Sequence, residues 1–166
     1  KNLSTGISLL ILKATTFREE GYTALEIVQK LEEIVPKVRS QFIVETLEYL
    51  HKGGRCSGMT RFLGTALRMK LLIKVKNGKL GVDKKAIGPS KKIINLMLDD
   101  FYASLPDIDK EFLFVTHSNA YKNRDHIYSK IEAIKDSFDN IFETKAGCVI
   151  SSHCGEGCIG VLYIEK

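Results

Sequence analysis

The sequence predicts an α+β fold, a two-layer sandwich in which a mainly antiparallel sheet of about six strands carries helices on one face. Two observations predict it. Asn77-Gly78 interrupts an apolar–polar alternation running from Leu71 to Ala86, the strongest short hairpin signal a sequence carries. Runs of helical periodicity are set apart from that hairpin rather than alternating regularly with strands.

Each element has its own signal. Gly6 to Phe17 reads as a helix that is apolar on most sides and so largely buried. Thr23-Ala24-Leu25-Glu26 is a capping box, and Leu25, Val28, Leu31 and Val35 repeat at helical spacing until Pro36 stops the run. Arg39 to Glu45 is rich in strand formers and leads to Thr46, a candidate cap for a short helix Leu47–Leu50 ended by Gly53-Gly54. After the hairpin, Ser90 is the expected N-cap of a helix that buries Ile93, Ile94, Met97, Leu98, Phe101 and Leu105. A strand Glu111–Thr116, a helix Arg124–Phe138 and a strand Ile141–Thr144 follow. Two last strands, Cys148–Ser152 and Ile159–Ile164, flank a glycine turn.

With 44% apolar residues in 166, the chain has enough apolar side chain for a real core. Its longest apolar runs, such as Leu9–Leu12, fall far short of the ~20 residues that cross a bilayer, so no membrane span is expected. The opening Lys1-Asn2-Leu3-Ser4-Thr5 has no initiator Met and no signal stretch, and the expectation is a piece of a longer chain. Cys56, Cys148, Cys154 and Cys158 then read as free thiols of a reducing, cytoplasmic compartment. Cys154-x-x-x-Cys158 beside His153 lacks the usual spacing of a zinc site, so neither a metal nor a cofactor is expected.

Charge is polarised. Residues 51–98 hold twelve Lys or Arg and one acid, Asp83, whereas residues 99–166 hold seven bases and twelve acids. Such a segment suits an acidic protein partner, an anionic surface or nucleic acid, or is a solvated face. No nucleic-acid-binding motif accompanies it, and the stretch Lys52–Lys92, with Arg61, Arg68 and Lys70, is read as a docking face for a protein.

Two motifs carry the candidate site. In Ser151-Ser152-His153-Cys154-Gly155-Glu156-Gly157-Cys158 a histidine precedes two glycines whose N–H groups could converge as an anion-binding nest, the histidine donating to a carboxylate or phosphate. The plain alternative is a glycine hairpin with an ordinary turn histidine. In Leu47–Arg55 a helix is broken by a glycine pair, and Arg55 is left to lie across the turn with its planar fork free for an anion, or simply solvated. A small hydrolase or acyl transferase using Cys154 or Ser152 is the enzymatic alternative, although no third positioned group is evident. A regulatory nucleic-acid-binding module using the basic segment is the other.

Lys1–Gly6, the block Val44–Arg55 with Ser57-Gly58 and Leu63-Gly64 behind it, the hairpin Lys76–Lys79 and the closing His153-x-Gly155-x-Gly157 together resemble the C-terminal part of the DegV family. The order and spacing agree along essentially the whole chain. The resemblance implies a two-lobed fatty-acid-binding protein in which residues 1–36 pack toward an N-terminal α/β lobe and residues 37–166 form the C-terminal α+β domain. It implies a long-chain fatty acid between the lobes, its carboxylate held at His153 near Arg55, and a carrier without catalysis that presents the carboxylate to the catalytic subunit of a fatty acid kinase for acyl-phosphate formation. Gly155 and Gly157 belong to the same site, and Ile150 and Leu162 are candidates for lining the acyl tunnel. The sequence departs from the family's His-Thr-Gly-Pro-Gly at Cys154 and Glu156, and from its usual aliphatic residue at Cys56. Glu156 would bring a negative charge close to the carboxylate.

Overall fold

A computed structural model describes residues 2–55 and 69–166. In chain order the elements are α1 (Thr5–Glu19), α2 (Ala24–Ile34), β1 (Val38–Val44), α3 (Glu48–Lys52), β2 (Met69–Lys76), β3 (Lys79–Ile87), α4 (Ser90–Ser104), β4 (Phe112–His117), α5 (Tyr121–Ile131), β5 (Asn140–Lys145), α6 (Cys148–Cys154) and β6 (Ile159–Ile164). The six strands form one sheet in the order β3-β2-β1-β6-β4-β5. Every pair is antiparallel except β4 with β5, which α5 joins as a parallel crossover. The α+β class and the six-stranded, mainly antiparallel sheet are as expected.

The hairpin is where Asn77-Gly78 puts it. Both residues take positive φ, 53° and 74°, which gives the turn the twist its flanking strands require. The capping box of α2 also forms: Thr23 accepts from the Glu26 N–H, and the Glu26 carboxylate accepts from the Thr23 N–H at 2.8 Å. Ser90 does not cap α4. Its hydroxyl donates instead to Glu45 Oε1 at 2.6 Å and ties the start of α4 to the end of β1.

The helices lie on both faces rather than on one. On the first face α4 and α5 bury Ile93, Ile94, Met97, Phe101, Ile127 and Ile131 against Ile43, Leu72, Leu113, Val115 and Val161. On the second, Leu9 of α1 packs on Val38, Phe114, Leu162 and Ile164, while α3 and α6 cover Val44, Leu71 and Ile73. The sign of this was the unbroken apolar run Ile159–Ile164, which has no solvent face to alternate with. All its residues are buried, as are those of β4.

The largest departure is Cys148–Ser152, expected as a strand and found as the body of α6. Three apolar residues, Cys148-Val149-Ile150, followed by two serines do not by themselves distinguish the two periods. Gly147 enters the helix in an extended conformation, Ser151 Oγ donates to Ala146 O at 3.0 Å, and Ser152 Oγ donates to Val149 O at 2.8 Å. Those local bonds, on a segment that begins three residues after the edge strand β5, hold it out of the sheet.

Candidate functional site

Helical spacing in α6 places Ile150, His153 and Cys154 on one side, and that side closes a groove on the second face of the sheet. The groove holds about 240 Å³ and lies between Leu3-Ser4, just before α1, and the α3–α6 pair. Phe42, Leu50, Leu80, Val149, Ile150 and Leu162 make its walls apolar, and its polar edge is made by Arg55, Thr116, His117, Ser118 and His153. Gly160 lies in the floor, where a Cβ would stand 2.5 Å from Gln41 O and 2.8 Å from Phe42 Cβ. A second cleft, of about 1040 Å³, opens between the start of β1 and the end of β2. Arg39, Lys74, Lys76, Asp100 and Glu165 ring it, and it shares no residue with the groove. The smaller space has the composition an amphipathic ligand needs, an apolar bed with a few polar groups at one end.

The two motifs read from the sequence meet here. Gly53 packs against the imidazole of His153, and a Cβ on Gly53 would overlap Nδ1. Gly155 in turn lies under the ring of Tyr49, which fills the space a side chain would take. The helix-breaking glycine of α3 and the first glycine after α6 are therefore a pair of close approaches that lock the helices together. Arg55 is held by its own backbone N–H, which donates to Leu50 O at 2.8 Å, and by Nη1, which donates to Gly53 O at 2.7 Å. His153, Arg55, Ile150 and Leu162 line one groove, while Gly155 and Gly157 line no part of it.

The nest reading does not hold. The Gly155 N–H donates to Ser151 O at 2.8 Å and the Gly157 N–H to Ser118 O at 2.7 Å, so neither is left for an anion. What the glycines supply is the path of the chain: φ of 78° and 81° turn it from α6 into β6, and Gly157 stands within 2.7 Å, measured from its would-be Cβ, of Glu45 Cγ. Glu156 is exposed and lines no part of the groove. Ser152 is exposed too, its hydroxyl bonded to Val149 O, and it is not a wall residue.

His153 Nδ1 is buried and has no hydrogen-bond partner among the described residues. His117, which the sequence did not single out, is the contrast. It is fully buried, its Nδ1 accepts from the Ala120 N–H at 3.3 Å, and its Nε2 lies 3.3 Å from Glu143 Oε1. The hydrogen bond from Arg124, at 2.9 Å, holds the Glu143 carboxyl below its usual range against a slight opposing effect of burial. His117 is satisfied by protein, and His153 Nδ1 is not among the described residues. Thr116 was likewise missed as a groove residue. It lies 2.6 Å from Thr5 Oγ1 and 2.8 Å from Thr144 Oγ1, a chain of hydroxyls joining α1 to β4 and β5. The signal available was a pair of polar residues, Thr116-His117, closing an otherwise apolar strand.

The basic segment is less open than its sequence suggests. Lys52 pairs with Glu48, Lys70 with Glu45, Lys76 with Asp83, and Lys74 and Lys84 with Asp100. Arg61 and Arg68 lie outside the described residues. No cluster of three or more His, Cys, Asp or Glu side chains among the described residues is arranged to hold a metal ion, and no described helix is long and apolar enough to cross a membrane.

The DegV family model, described as uncharacterised protein, DegV family, matches residues 1–166. The chain belongs to the DegV family. A DegV domain-containing protein of Clostridium acetobutylicum is 32% identical over 165 residues, which are 99% of this DegV chain and 57% of that protein. The solved structure of a DegV family protein from Thermus thermophilus, described by its fatty acid binding, matches with a TM-score of 0.86 at 27% identity, over 98% of this chain and 58% of that one. The Streptococcus pneumoniae fatty acid kinase B3 protein, loaded with linoleic acid, shares the fold with a TM-score of 0.82 at 20% identity, over 97% and 56% of the two chains. This DegV chain spans a little over half the length of those relatives.

Proposed function

We propose that this DegV chain binds a long-chain fatty acid in the groove walled by α3 and α6, with the carboxylate toward His153 and Arg55 and the acyl chain against Ile150, Leu162 and Phe42. The observation that carries the reading is the imidazole of His153 in the lining of a mainly apolar groove, with no hydrogen bond at Nδ1 among the described residues. Nδ1 is turned to Gly53, which leaves Nε2 as the ring nitrogen that donates to the carboxylate. The fatty-acid-binding relative from Thermus thermophilus, similar over nearly the whole chain, supports the same ligand class. In this reading residues 37–166 are the C-terminal lobe, residues 1–36 pack toward an N-terminal α/β lobe, and the second lobe completes a tunnel of which the groove is one wall. The protein is then a cytoplasmic carrier without chemistry of its own, presenting the carboxylate to a fatty acid kinase for conversion to an acyl-phosphate. The likeness of fold to the kinase B3 protein agrees with that role.

Mass spectrometry of an organic extract of the two-lobed protein tests the ligand class, with a long-chain fatty acid expected. Calorimetry of the delipidated protein with palmitate tests the site. A hydrogen bond to a charged group contributes about 1.5–3 kcal/mol, so His153→Ala is expected to weaken binding roughly ten- to a hundredfold. Equal affinities in two folded proteins would place the carboxylate elsewhere.

A further inference from the structure

Two buried thiols in the groove wall have no part in that reading. Cys154 is the last residue of α6 and Cys158 immediately precedes β6, with the Gly155-Glu156-Gly157 turn between them. They are 5% and 7% exposed, belong to one apolar cluster with Val44 and Leu50, and both line the groove. The turn that opposes them is pinned at three places: Gly155 N–H to Ser151 O, Gly157 N–H to Ser118 O, and Ser118 N–H to Cys158 O. Cys148, by contrast, is exposed at the start of α6 and lines no part of the groove.

We propose that Cys154 and Cys158 are an oxidisable dithiol, converted by a peroxide to an intramolecular disulfide that loosens the groove's hold on its ligand. The two sulfurs are not equivalent. Cys154 Sγ donates to Gly155 O at 3.6 Å; the neighbouring Cys158 thiol holds Cys154 below its ordinary value against burial, while Cys154 and deeper burial hold Cys158 well above its own. Cys154, which lines the groove at the end of α6 and has the lower thiol, is taken as the sulfur that meets the oxidant. Its thiolate attacks a peroxide oxygen, the O–O bond breaks, and the departing hydroxide takes up the Cys154 proton, leaving a sulfenic acid and one water. The Cys158 sulfur then attacks the sulfenic sulfur, the S–O bond breaks, and the hydroxide leaves with the Cys158 proton as a second water. Two thiols are oxidised to one disulfide and one hydrogen peroxide is reduced to two waters.

A sulfur–sulfur bond of about 2.0 Å is far shorter than a contact between two thiols, so closing it draws the end of α6 toward β6. His153 is the residue before Cys154 and its ring rests on Gly53, while Tyr49 fills the space above Gly155. Movement of the α6 end in this reading shifts the imidazole from its seat on Gly53 and so from its place in the groove lining. Linkage then works both ways: an oxidised pair weakens the ligand, and a bound ligand shields the pair.

The effect on lipid rests on the fatty-acid reading, whereas the disulfide does not, and one experiment separates them. The two-lobed protein is treated with hydrogen peroxide, its remaining thiols are alkylated, and the tryptic peptide Ala146–Lys166, which carries all three of these cysteines, is weighed. Wild type and Cys148→Ser are expected to lose two hydrogens from this peptide, and Cys154→Ser and Cys158→Ser to lose none. Palmitate affinity of the wild type is expected to fall about tenfold on oxidation and to return with dithiothreitol. The proposal is overturned if the peptide keeps its hydrogens, if the bond requires Cys148, or if the disulfide forms and palmitate binding is unchanged. A disulfide in a protein that binds no palmitate in either state would overturn the lipid reading and leave the dithiol standing.

Discussion

A methyl group at Gly53 would occupy the position of His153 Nδ1, although the backbone there is ordinary, with φ of −79°. Gly53→Ala is therefore a steric probe without backbone strain: it pushes the imidazole and changes little else. Overpacking of this kind costs typically about 1–3 kcal/mol, so thermal unfolding should shift downward by that amount while palmitate affinity falls by at least tenfold. Loss of stability with full affinity would mean that the ring's position does not matter to the ligand. Gly155 is the harder test of the same contact, because there the overlap with Tyr49 is added to a positive φ of 78°. Gly155→Ala should destabilise more than Gly53→Ala in the same assay.

At the scale of elements, α2 is held by its ends more than by its packing. None of its residues is buried, and Leu25 and Val28 are 70% and 52% exposed. With so little tertiary burial, the Thr23–Glu26 box has a large share in keeping the helix formed. Thr23→Ala is expected to cost about 1 kcal/mol, with the loss concentrated in amide exchange of residues 24–34 and none in the β1–β6 pair. Uniform loss of protection across the sheet would show that α2 and the sheet unfold as one unit. By contrast α6 is too short to form alone, and its seven residues depend on the contacts with α3 and on the turn bonded to Ser118.

Across the whole molecule, five of the twelve basic residues of the middle segment pair with acids among the described residues, and Lys70, Lys74 and Lys84 reach Glu45 or Asp100 outside it. Lys74 Nζ lies 3.0 Å from Asp83 and 2.7 Å from Asp100, and Lys84 joins Asp100 at 2.5 Å, so α4 is bound to the β2–β3 hairpin by charge as well as by packing. Burial raises the Asp83 and Asp100 carboxyls, but the neighbouring ammonium groups outweigh it and both end below the usual range. Burial also lowers Lys74, yet its two carboxylates raise it overall. A depressed carboxyl stabilises fully above its unfolded value and loses that contribution as pH falls through the folded value. A raised amine stabilises fully below its unfolded value and loses it as pH rises through the folded one. The cluster's contribution is thus complete between about pH 5 and pH 9. Asp100→Asn should cost about 1–2 kcal/mol at pH 7 in urea unfolding, and the gap to wild type should narrow below about pH 4. A gap independent of pH would mean that shape, not charge, is what Asp100 contributes.

Periodicity and turn chemistry are properties of short stretches, so the sequence by itself determined the Asn77-Gly78 hairpin, the capped α2, the buried stripe of α4 and the α+β class. The resemblance of its motifs also pointed to His153 and Arg55 together. Three features were decided only in the tertiary structure. Cys148–Ser152 is helix, packed on α3 with its hydroxyls bonded to the Ala146 and Val149 carbonyls beyond the edge strand β5, which no local period records. The glycine N–H groups of the closing motif are spent on Ser151 and Ser118, a residue some 40 positions away in sequence, so a nest legible in spacing vanished once the chain folded. Charge along the chain gave a basic face, and charge in space gave internal ion pairs, because a lysine's partner is set by which strands and helices lie side by side.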